Sequence, residues 1–176
     1  MSSYANRVLR AIRLEPELYE EVEADHGATR QAIGTVVLAS LAAGLGGQLS
    51  GSLYGLALHT VVTMVGWFIW AFLSFFIGTR LLPQSQTRSD MGELIRCTGF
   101  SSAPGLLQVF GIIPGIGTIV RIVAWVWMLM AFVVAVRQAL DYTGTGRAIA
   151  VCLIGWVALL ALDTLVFMWS AGRATL

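Results

Sequence analysis

Four stretches of this chain, 29–48, 53–80, 117–138 and 148–170, are each long and apolar enough to cross a bilayer. A hydrocarbon core is spanned by about 20 apolar residues in helical form. In lipid the backbone must satisfy its own N–H and C=O groups, so only helices and closed barrels survive there. Runs of this length without strand alternation select the helix. The expected fold class is all-α, an integral membrane helix bundle. Charge agrees: 12% of the residues are charged, against about 25% in soluble domains.

A fifth apolar stretch, about 94–114, is built differently. It overlaps "GFSSAPGLLQVFGIIPGIG" (99–117), which holds five glycines and two of the four prolines of the chain. Proline removes a backbone donor and disturbs the preceding turn of a helix. A broken helix at membrane depth persists only where protein or water satisfies the freed carbonyls. Such breaks mark binding sites in transporters, and they also arise from close packing. The third of five spans is therefore expected to be short and kinked at Ala103-Pro104-Gly105. Gln108 is placed to bond a freed carbonyl, and Pro114 lies in the turn to the next span. These five residues form a helix kink or a possible ligand site.

All eleven basic residues are arginine, and their distribution sets the orientation. Arginines are retained on the cytoplasmic side. With five spans and the N-terminus inside, Arg7, Arg10, Arg13, Arg30, Arg80, Arg88, Arg96, Arg137 and Arg147 lie inside, and Arg121 and Arg173 lie outside. The expected topology is an inner-membrane protein with a cytoplasmic N-terminus and an outer C-terminus. If 94–114 failed to cross, Arg137 and Arg147 would move outside, so the charge bias favours a crossing. The N-terminal residues lack the short apolar core of a signal peptide.

Residues 1–28 read as a cytosolic helical segment. "YANRVLRAIRL" (4–14) alternates arginine with apolar residues at helical spacing, the pattern of an interfacial amphipathic helix with its arginines toward anionic headgroups. "EPELYEEVEAD" (15–25) places Leu18 and Val22 on one face and carboxylates around the rest. Those carboxylates would be repelled by anionic lipid, and pairing with Arg7, Arg10 and Arg13 is the alternative. Tyr19, Glu20, Glu21 and Glu23 are the expected partner-docking residues. No calcium-loop spacing is present, and no metal is expected.

Within the spans, "QAIGTVVLASLAAGLGG" holds small-xxx-small pairs at Ser40/Gly44, Ala42/Gly46 and Ala43/Gly47, which let helix backbones approach closely. Ionisable groups inside a membrane need partners. His59, Arg121 and Asp163 fall at one depth in the outer half, and a polar intramembrane cluster is expected there with Arg121 and Asp163 as its core pair. One histidine at a helix end does not define a haem site, and no cofactor is expected. The two cysteines, Cys97 and Cys152, read as small buried hydrophobes. GxSxG, HExxH and P-loop motifs are missing, as is an arginine patch mixed with aromatics. No catalytic residue and no nucleic-acid partner are expected.

Four motifs in order, "YEEVEAD" (19–25), "GFSSAPG" (99–105), "IPGIG" (113–117) and "AVRQALDY" (135–142), resemble the Yip family of small polytopic membrane proteins, the Ypt/Rab-interacting proteins, in its prokaryotic form. The resemblance implies five membrane spans after a cytosolic N-terminus. Eukaryotic relatives bind small GTPases in vesicle traffic. The Asp-Leu-Tyr-Gly-Pro motif of those relatives is missing here, so a small GTPase is not expected as partner. The expected organisation is a segment at 1–28 and a membrane domain at 29–172. The expected function is a non-enzymatic scaffold or complex subunit that meets lipid and other membrane proteins or copies of itself. The alternative is a small permease or channel using the kinked third helix and the His/Arg/Asp cluster.

Overall fold

In the computed structural model, residues 3–47, 52–87 and 89–173 are described, the side chains of 162–173 excepted. The described residues form helices and turns, with no strand among them. Two short helices lead, α1 (Tyr4–Ile12) and α2 (Pro16–Ala24). They are followed by α3 (Ala28–Gly46), α4 (Leu53–Phe76), α5 (Met91–Phe100), α6 (Gly117–Ala139) and α7 (Thr145–Arg173). A π-helical turn, Ile77–Leu81, continues α4. A 3₁₀ helix, Ala103–Ile112, follows α5.

Three helical stretches are long and apolar enough to cross a membrane: Ala28–Gly46, Leu53–Leu81 and Gly117–Ala139, with mean hydropathy 1.2, 2.0 and 2.4. The apolar part of α7, Thr145–Ala161, is shorter. Large apolar side chains stay exposed along these helices, among them Val61, Val65, Phe72, Ile119, Ile122 and Val157. A continuous apolar exterior of this kind marks a surface that meets something other than water.

The glycine-proline stretch is not one kinked helix. An Asp90–Glu93 capping box starts α5, and α5 ends at Phe100 ahead of Pro104. Residue 104 would have to donate to the Phe100 carbonyl, and Pro104 has no N–H. The chain turns at Ser101-Ser102 and resumes as the 3₁₀ helix. Ten residues are long for that conformation, whose runs rarely exceed 3–4 residues. At about 1.5 and 2.0 Å per residue, α5 and the 3₁₀ helix together reach about 35 Å.

Close contacts give the course of this pair. Gly99 meets Ala32, Gly105 meets Ala39, and Gly111 meets Gly46. The 91–112 segment therefore runs parallel to α3 along most of its length. Helix α6 then returns antiparallel: Gly117 lies on Gly111, and Met128 lies on Gly105. Buried Ala124, Ala131, Ala135 and Ala139 form the α6 face of this seam. Small residues permit such approach, and in lipid dispersion contacts of this kind drive helix association. On the far side α4 packs on α7, where Gly155 meets Trp70 and Ser74. Trp70 also stacks on Phe132 of α6, with centroids 3.9 Å apart.

The two leading helices are part of the bundle. Leu18, Tyr19 and Val22 of α2 are fully enclosed in the same core as Leu94, Phe100 and Leu140. Trp127 Nε1 donates to the Ile12 carbonyl (2.9 Å) and ties the end of α1 to α6. Of the two expectations for these arginines, headgroup contact and carboxylate pairing, the structure shows the second. Arg7 and Arg10 do not reach toward headgroups, because the carboxylates of α2 take them. Arg7 donates to Glu21 (3.0 Å), Asp25 (2.7 Å) and Gln31 (3.0 Å), and Arg10 bridges Glu15 and Glu21. Burial works against the Arg7 charge, but its bonds to Asp25 and Glu21 outweigh it and hold its pKa above the ordinary value.

Candidate functional site

Arg96 organises the end of the bundle that bears α1 and α2. It is 3% exposed. Its Nε donates to the carbonyls of Val22 (3.0 Å) and Glu23 (3.1 Å), and a terminal nitrogen also donates to Glu23. These carbonyls belong to the last turn of α2, which lacks intrahelical donors and carries the negative end of the helix dipole. A guanidinium fork suits that end in both geometry and sign. Sequence reasoning counted Arg96 only as an orientation charge, and a carbonyl partner leaves no mark in sequence.

Fastened in this way, α2 presents Glu17 and Glu20 outward, with Glu23 half-buried. Glu20 accepts from Gln138 of α6 (3.0 Å). A basin of about 770 Å³ opens beside it, bounded by Glu20, Glu23, Gln86, Arg137, Asp141 and Tyr142 among others. Burial and the neighbouring charges of Asp141 and Glu93 push the Glu23 carboxyl up to about 7, against the opposing pull of Arg96. Of the expected docking residues, Glu20 and Glu23 border this basin. Glu21 is engaged by Arg7 and Arg10. Tyr19 is fully enclosed, which removes its side chain from any docking surface; its apolar ring is worth more in the core.

The kink residues fall in two groups. Ala103, Pro104 and Gly105 are buried at the start of the 3₁₀ helix. A small cavity of about 60 Å³ lies alongside, between α3, α4, α6 and this segment, with Ser40, Thr63, Trp67, Ser102, Gln108 and Met128 in its wall. Gln108 Nε2 points to the Met128 sulfur (3.4 Å), a weak acceptor, and not to a freed carbonyl. Trp67 Nε1 is buried with no hydrogen-bond partner among the described residues. Pro114 is separate, in the turn before α6, beside Gly115 with its φ of +87°.

His59 and Arg121 both come to the C-terminal end of α3. The His59 ring packs against Gly44 and lies 3.5 Å from Thr63 Oγ1. Arg121 donates to the Gly46 carbonyl (3.2 Å) and to Thr118 (3.2 Å). Asp163 belongs to α7, and its side chain lies outside the described residues. Among the described residues no group of three or more His, Cys, Asp and Glu side chains is arranged to hold a metal.

A helical bundle with an apolar exterior, polar ends and two amphipathic helices docked at one end is a multi-pass membrane protein. The Yip1 domain family matches residues 16–165, from the start of α2 into α7. The chain belongs to the Yip1 family. No characterised protein and no solved structure matched it.

Proposed function

We propose that this Yip1-family protein is a non-enzymatic scaffold or complex subunit of a bacterial inner membrane. The chain crosses five times, the 91–112 segment being the third crossing, with the N-terminus cytoplasmic and the C-terminus outside. The arginine distribution and the parallel course of this segment beside α3 support that path. The acidic face of α2 is the docking surface, and small-residue helix faces supply further contacts. One observation carries the reading: Arg96 and Arg7 hold α2 rigidly on the bundle while Glu17 and Glu20 remain outward beside an open basin. A surface preorganised in this way loses little entropy on binding. Purification in native nanodiscs with intact-complex mass spectrometry tests it. The expected result is a co-purifying protein or a second copy, lost in Glu17→Lys/Glu20→Lys. A strictly monomeric protein with no partner overturns it.

The permease reading rests on a different observation, the Trp67 indole N–H, without a partner among the described residues, beside the 60 Å³ cavity at the 3₁₀ helix. Here His59, Arg121 and Asp163 would line the outer part of a path. Arg121→Gln and Asp163→Asn separate the two readings. Lost flux with unchanged stability favours transport. Lowered stability in each single variant, partly restored in the double, identifies a structural pair.

A further inference from the structure

We propose that the groove between α6 and α7 is a binding site for one anionic phospholipid of the leaflet on the α1/α2 side. The groove has a volume of about 440 Å³. Its wall includes Leu129, Met130, Val133, Val134, Ile149 and Leu153, and Thr145 and Leu14 stand with them. An acyl chain matches this lining, and each buried methylene adds to its retention.

The end of the groove that carries Thr145 is chemically different. Met130, Val133 and Val134 continue at helical spacing to Arg137. The Arg137 guanidinium is held by neutral groups, the Thr145 hydroxyl (3.4 Å) and the Tyr142 carbonyl (3.4 Å). It forms no ion pair among the described residues. Thr145 is also the first residue of the 29-residue helix α7, so the positive end of that dipole opens here. Leu14 of the wall follows Arg13, which is 72% exposed and paired with Glu15 at 3.9 Å. Leu14 itself has φ 60°, a conformation that L side chains avoid and glycine would fill at no cost. Leucine there keeps an apolar side chain in the groove wall. The Arg137 guanidinium and a helix N-terminus at the Thr145 end of this apolar groove match a phosphate diester carrying a chain. Arginine is suited to phosphate because its fork gives paired donors.

The test uses the full-length protein, delipidated in detergent. It is titrated with dioleoyl phosphatidylglycerol and, separately, dioleoyl phosphatidylcholine under native mass spectrometry. One phosphatidylglycerol is expected to be retained in clear preference to phosphatidylcholine, weakened about fivefold by Arg137→Gln. Leu153→Trp, at a half-exposed groove position, is expected to remove the retained lipid with the melting temperature unchanged. Equal retention of both lipids, or a preference untouched by Arg137→Gln, overturns the site. Equal competition by glycerophosphoglycerol, which has the headgroup and no chain, also overturns it, because the groove would then play no part.

Discussion

Gly111 packs backbone to backbone on Gly46: a Cβ on Gly111 would stand 2.8 Å from the Gly46 carbonyl oxygen. The contact closes the far end of the seam between α3 and the 3₁₀ helix, and Gly117 adds the start of α6 to it. At Gly46 itself a Cβ would run into the Gln108 carbonyl. The obstacle is main chain, so no side-chain rotation relieves it. Gly46→Ala is expected to lower stability by about 3 kcal/mol. Gly34→Ala, in the same helix with open space around it, should be neutral or stabilise by up to about 1 kcal/mol. Thermal unfolding in detergent micelles checks both.

Arg96→Gln removes the charge that serves the last carbonyls of α2. The expected cost is about 2–4 kcal/mol, from lost charge-assisted bonds and from carbonyls left without a donor. Arg96→Lys should recover little, because a point charge does not reproduce the fork. Limited proteolysis reads this directly: cleavage between α2 and α3 should accelerate in both variants. Unchanged protection would show that apolar packing alone holds α2.

Glu23 makes the α1/α2 end sensitive to pH. Its carboxyl is raised from 4.5 to about 7 by burial first and by Asp141 and Glu93 next. The folded state therefore binds the proton more tightly than the unfolded state. Stability falls as pH rises from about 4.5 to about 7, and the full cost is present above that. Glu23→Gln should flatten this slope and gain roughly 1–2 kcal/mol at pH 8, allowing for solvent screening of a half-buried group. Asp25 acts in the opposite direction. The Arg7 bond holds its pKa below the ordinary 3.8, so its contribution is present above that value and is lost as pH falls through the depressed one. Melting temperatures from pH 3 to 9 for wild type and Glu23→Gln check both limbs.

Tyr142 secures the π-helical turn. Its hydroxyl lies 3.0 Å from the Gly78 carbonyl and 2.9 Å from that of Leu82. Both carbonyls belong to the π-helical turn and its C-terminal cap, where regular bonding lapses. Tyr142→Phe is expected to cost about 1–3 kcal/mol. Hydrogen exchange should then rise in residues 77–82 more than elsewhere. A uniform rise would mean that the hydroxyl serves global packing instead.

Much of this protein is legible in its sequence because lipid simplifies the problem. Twenty apolar residues without alternation leave helix as the outcome, and α3, α4 and α6 lie close to the expected bounds. Pro104 marked the break in the third segment, because a missing N–H is a local fact. The pairing of arginines in α1 with carboxylates in α2 followed from charge and proximity along the chain. Tertiary structure decided what depends on partners far apart in sequence. Arg96 became the anchor of α2 only because α5 brings it to Val22 and Glu23. Tyr19 left the surface because Cys97, Phe100 and their neighbours enclose it. The 91–112 segment followed α3 because Gly99 and Gly105 admit Ala32 and Ala39 closely and Gly111 meets the Gly46 backbone directly. Local chemistry sets where a chain bends and which segments enter lipid. Which surfaces then touch is settled by shape complementarity between segments, and that is a property of the folded molecule alone.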